Sequence, residues 1–124
     1  MAKKIYVVDD NASVRGLSIL FYRSRGYETR GFSNADSLLE AIANGEKPDL
    51  ILMDTDMPGN LNGYEACDRI KNNEATNEIK IIGTSGNITD GYEQKWREAG
   101  VDYFTNKPFN LSDLLNKTKE LLGE

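Results

Sequence analysis

Short unbroken apolar runs alternate with stretches of helical spacing from one end of the chain to the other. No other feature restricts the fold as much. Ile5-Tyr6-Val7-Val8, Leu50-Ile51-Leu52-Met53 and Ile79-Lys80-Ile81-Ile82 have the length and residue types of strands buried on both faces. Weaker runs at residues 27–32 and 101–105 complete a set of five. Between the runs, Val14, Leu17 and Phe21 recur at helical spacing, as do Leu38, Leu39 and Ile42. Tyr64, Cys67 and Ile70 follow, and Leu111, Leu114, Leu115, Thr118, Leu121 and Leu122 make the clearest amphipathic face. A strand followed by a helix, five times over, predicts a parallel sheet covered by helices on both sides.

Punctuation supports these boundaries. Gly26 suits the stop of the first helix. Ser33, with Asp36 three residues on, is the expected cap of the second, and Gly45 and Pro48 close it. Pro58-Gly59-Asn60-Leu61-Asn62-Gly63 reads as a loop. Thr89 or Asp90 is the expected start of the fourth helix, which Gly91 should weaken and Ala99-Gly100 should end. With 124 residues and no linker, repeat or low-complexity segment, the expectation is one domain over residues 1–124, with no output domain.

Composition removes several classes of function. A net charge of −5 disfavours direct nucleic-acid binding and anionic membrane surfaces. The absence of histidine rules out Ser-His-Asp and Cys-His chemistry and the commonest metal ligand. The single cysteine, Cys67, falls on the apolar face of its helix and is expected in the core. No run is long enough to span a bilayer and no leader pattern opens the chain, so a cytoplasmic location is expected.

The strand ends carry the chemistry. In a parallel sheet the carboxyl ends share one edge, and ligands bind beyond it. The first run ends in Asp9-Asp10, the third in Asp54, the fourth in Thr84-Ser85, and Lys107 follows the fifth. Converging carboxylates make a hard oxygen site suited to Mg2+. A lysine and a hydroxyl beside them can bind phosphoryl oxygens. Asp54 is the candidate nucleophile, since carboxylates form acyl phosphates.

As an ordered set these pieces resemble a response-regulator receiver domain of two-component signalling, similar to the single-domain chemotaxis type. The matching residues are Val7-Val8-Asp9-Asp10, Met53-Asp54 with Met57-Pro58 and Gly63, Ser85, and Lys107-Pro108-Phe109. The resemblance implies a flavodoxin-like doubly wound (βα)5 fold with strand order 2-1-3-4-5. It implies that Asp54 accepts a phosphoryl group from a histidine kinase or histidine phosphotransfer protein, with Ser85 and Lys107 assisting. Asp10 would bind Mg2+ directly, Asp9 through water, Asp54 as a ligand, and Asp56 through its backbone carbonyl. Ser85 and Phe104 would be the switch pair, moving a face built from the fourth helix, fifth strand and fifth helix toward an unknown protein target. Asp56 and Asn87 would tune the phosphoryl lifetime. Such a protein catalyses its own phosphorylation and dephosphorylation without being a turnover enzyme.

Departures from the family pattern are visible. Phe104 stands where tyrosine is common, and the loop from Pro58 to Gly63 looks one residue longer. Thr84 also competes with Ser85 as the switch hydroxyl; the small Gly86 after Ser85 favours the latter. A second reading comes from Asp54-Thr55-Asp56, which also resembles the nucleophile motif of haloacid-dehalogenase-like phosphatases, with Asp56 as acid/base. The paired acids come first here and last in those enzymes, and the chain lacks length for a cap domain. A flavin binder or a phosphate-independent interaction module of the same fold is the third reading.

Overall fold

A computed structural model describes residues 2–86 and 91–124. Ten elements alternate: β1 (Lys4–Val8), α1 (Ala12–Ser24), β2 (Glu28–Phe32), α2 (Ala35–Ala43), β3 (Leu50–Asp54), α3 (Gly63–Lys71), β4 (Lys80–Ser85), α4 (Tyr92–Glu98), β5 (Tyr103–Asn106) and α5 (Leu111–Leu122). All ladders are parallel and the strand order is β2-β1-β3-β4-β5. This is the doubly wound order expected above.

The period of two along each strand divides the core. Tyr6, Val8, Ile51, Met53 and Ile81 face α2, α3 and α4, where Leu38, Cys67, Ile70 and Trp96 meet them. Ile5, Val7, Leu50, Leu52 and Ile82 face the other way, onto Tyr22 of α1 and Leu114 of α5. Each fully buried aliphatic side chain contributes about 1.5–3 kcal/mol. Cys67 is completely buried, and burial pushes its thiol up to about 12, so it is the expected core residue.

Several boundaries differ from the sequence reading, each for a local reason. Asn34, not Ser33, caps α2: its backbone is extended and its side chain accepts from Ser37 N at 2.8 Å. The Asp36 carboxylate instead accepts from Asn60 N at 3.0 Å and ties down the loop before α3. That loop ends in a reciprocal cap between Asn62 and Glu65. Gly91, with φ 77°, caps α4 rather than lying within it. Thr89 and Asp90 lie outside the described residues.

α1 departs most. Its buried residues are Ser18 and Tyr22, and Leu17 is 69% exposed. Tyr22 OH and Thr118 Oγ1 share a buried hydrogen bond of 2.8 Å that joins α1 to α5. Its apolar spacing therefore marks a second, outward face as well as the core contact.

Candidate functional site

β1 pairs with β2 on one side and β3 on the other, so the chain reverses winding direction between β1 and β3. Ligand crevices form at such a point, beyond the strand ends. The register sets Val8 opposite Met53 and Asp54 opposite Thr84, which brings the residues after β1 beside the end of β3. Oxygens of Asp9, Asp10 and Asp54 lie within 4.8 Å of one another. Asp9 and Asp54 are buried, and Asp10 is exposed.

Lys107 completes the group. Its ammonium lies 2.8 Å from Asp9 Oδ2 and 3.0 Å from Asp54 Oδ1. The other Asp9 oxygen accepts from Asn11 N at 3.0 Å, and Arg15 donates to the Asp9 carbonyl at 2.7 Å. Lys107 N also donates to Ser85 O at 2.9 Å, which seats the lysine against the end of β4. The bond from Lys107 to Pro108 is cis.

The electrostatics are unequal across the cluster. Burial and the neighbouring Asp9 charge raise the Asp54 carboxyl to about 6. Lys107 acts against that rise but does not cancel it, because one ammonium is shared between two carboxylates. Burial alone would lower Lys107; its hydrogen bonds to Asp9 and Asp54 outweigh this, and its pKa is raised. A site with three clustered carboxylates and one compensating cation has a deficit of positive charge. That donor set is all oxygen and fits a hard divalent ion such as Mg2+.

The two candidate hydroxyls are both buried. Thr84 Oγ1 points back along the sheet and donates to Met53 O at 3.4 Å. Ser85, the last residue of β4, pairs with Asn106 across to β5. Phe104 is half-buried on β5 and its ring centroid is 6.4 Å from that of Trp96. Asp56 is exposed, and its carboxylate stands apart from the cluster. Asn87 lies outside the described residues.

The chain belongs to the response regulator receiver domain family. The family match covers residues 5–119. The polar-differentiation response regulator DivK of Brucella ovis is 30% identical over 125 residues, spanning 100% of this chain and 99% of that protein. The phosphate regulon transcriptional regulatory protein PhoB of Pseudomonas aeruginosa is 32% identical over 98% of this chain, which spans only 52% of that relative. A solved receiver domain of a Pseudomonas aeruginosa sensor histidine kinase, with a magnesium ion coordinated in its active site cleft, superposes with a TM-score of 0.89 at 26% identity, covering all of both chains. Family membership places the protein in two-component signalling and argues against the phosphatase reading. Among the described residues no helix is long and apolar enough to cross a membrane.

No short sequence motif points to what holds the loop that follows Asp54. Trp96 Nε1 donates to Thr55 Oγ1 at 2.8 Å, and Tyr92 OH donates to Asp56 Oδ1 at 3.1 Å. One clue was available: Gly83 interrupts an otherwise apolar strand, and such a glycine often marks a close approach. Trp96 fills the space above it.

Proposed function

We propose that this protein accepts a phosphoryl group on Asp54 from a histidine kinase or histidine phosphotransfer protein and passes the change to a protein target through α4, β5 and α5. The observation that carries this reading is the buried Asp54 carboxylate at the winding reversal, 3.0 Å from Lys107 and clustered with Asp9 and Asp10.

An Asp54 oxygen attacks phosphorus, the bond from phosphorus to the donor's imidazole nitrogen breaks, and the electron pair returns to that nitrogen. An acyl phosphate remains on Asp54. Lys107 neutralises charge on the transferred oxygens, and the Ser85 hydroxyl donates to one of them. Asp9, Asp10, Asp54 and the Asp56 carbonyl are the groups that would hold Mg2+, which supplies the positive charge that phosphoryl transfer requires. Burial keeps bulk water from the carboxylate before transfer.

Beside Lys107 an open apolar groove of about 550 Å3 runs between Val14 and Leu17 of α1 and Pro108, Phe109 and Leu111. Leu17, Leu20 and Leu111 are 69%, 65% and 49% exposed. Exposed apolar surface next to the acceptor suits a docked helical donor. In this reading the protein works in the cytoplasm as a signalling switch and not as a turnover enzyme. The test offers a small phosphodonor with and without Mg2+, and separately a small phosphate ester. We expect Mg2+-dependent labelling that stops at one phosphoryl group per chain. Sustained bulk hydrolysis of the ester would support the phosphatase class instead.

A further inference from the structure

Two hydrogen bonds join α4 to the two residues that follow Asp54. Trp96 and Tyr92 supply them, and residues four apart share one face of a helix. The Trp96 anchor is rigid. Its indole is fully buried, donates to Thr55 Oγ1, and lies over Gly83 so closely that a Cβ there would be 2.6 Å from the ring. Thr55 Oγ1 in turn donates to Thr84 O at 2.7 Å, so the anchor reaches across β3 to β4. Tyr92 is a turn away, half-buried, with its ring centroid 6.1 Å from that of Tyr64. With α4 fixed by Trp96, the Tyr92 phenol is set where it meets the exposed Asp56 carboxylate. Among the described residues the clustered carboxylates are Asp9, Asp10 and Asp54, and Asp56 stands outside them.

We propose that Tyr92 is a positioning residue: its hydroxyl latches the Asp56 carboxylate toward α4, and this prolongs the life of a phosphoryl group on Asp54. The inference rests on the reading of Asp54 as acceptor. Hydrolysis adds water to phosphorus and breaks the bond to the Asp54 oxygen, releasing inorganic phosphate. A free Asp56 carboxylate takes the proton from that water as a general base. Bonded to the phenol, it is turned toward α4 and is not free to take that proton. Only the fraction of molecules with the latch open hydrolyses quickly. Any partner that shifts α4 would therefore reset the lifetime without touching the site.

The test compares wild type, Tyr92→Phe, Asp56→Asn and the double variant. Loss of label is followed at saturating Mg2+. Side-chain couplings of residue 56 are measured by NMR in the metal-free protein. We expect Tyr92→Phe to speed loss of label about threefold, and to have no effect where Asp56 is already Asn, since coupled residues are non-additive. The metal-free couplings should show one Asp56 rotamer in wild type and averaging in Tyr92→Phe. Equal acceleration in both backgrounds, or unchanged couplings, overturns the proposal. If wild type takes no label, the acceptor reading fails by itself, and the couplings still decide whether Tyr92 holds Asp56.

Discussion

Lys107 Nζ stands 3.0 Å from Asp54 Oδ1, and it is shared with Asp9 at 2.8 Å. The shared ion pair leaves Asp54 titrating at about 6, above its ordinary value of 3.8, mainly through burial and then through the Asp9 charge. Between those two values the folded protein holds a proton that the unfolded chain has lost. Stability from this group is full below the lower value and declines as pH rises through the upper one. In EDTA, wild type should lose about 2 kcal/mol relative to Asp54→Asn between pH 4 and 6.5. Chemical unfolding of both proteins across that range checks it; parallel pH profiles would contradict the burial account.

Asp10 adds an exposed carboxylate to a cluster that has one shared cation. Asp10→Asn should therefore raise the melting temperature in EDTA, because like charges repel. It should also weaken Mg2+ binding at least about tenfold, since even changes behind a metal's ligands cost that much. Titration calorimetry and melting in EDTA measure both, and an unaltered Mg2+ affinity would remove Asp10 from the ligand set.

Phe104 packs on Trp96 at 6.4 Å between centroids, and Trp96 is bonded to Thr55, the neighbour of Asp54. Packed elements of this kind move between discrete states. We expect Ser85 and Phe104 resonances to shift together when an acyl-phosphate mimic is added with Mg2+. An unchanged Phe104 ring environment would make it an immobile core residue.

Gly83→Ala tests the seat of Trp96. The new Cβ would lie 2.6 Å from a fully buried ring with nowhere to swing. A loss of about 1–3 kcal/mol is expected. Gly16→Ala is the counterpart: nothing lies within 4 Å in the interior of α1, so a gain of up to about 1 kcal/mol is expected. Equal effects of the two substitutions would mean that Trp96 is loosely held.

The strands and the acid cluster were legible because both follow from local sequence. An unbroken run such as Leu50 to Met53 can only be buried on both faces, and a parallel sheet then gathers Asp9, Asp10, Asp54 and Lys107 on one edge. The spacing of Val14, Leu17 and Phe21 marks the α1 helix, but periodicity cannot tell a core contact from an outward one. Leu17 and Leu20 are exposed, while Ser18 and Tyr22 are buried, Tyr22 with a hydroxyl pair to Thr118 of α5. Ser33 and Asn34 are both able caps, and only the backbone angles of Asn34 decide between them. The bonds from Trp96 to Thr55 and from Tyr92 to Asp56 join residues 41 and 36 positions apart, where no short pattern operates.

The central claim is that Asp54 is the phosphoryl acceptor, and intact mass after exposure to a small phosphodonor tests it most directly. Wild type should gain one phosphoryl group with Mg2+ and none in EDTA. Asp54→Asn keeps the shape of the side chain and loses the nucleophilic oxygen, so it should gain none under either condition while its circular dichroism stays that of wild type. A phosphoryl group on the folded Asn variant, at the wild-type yield, would contradict the account.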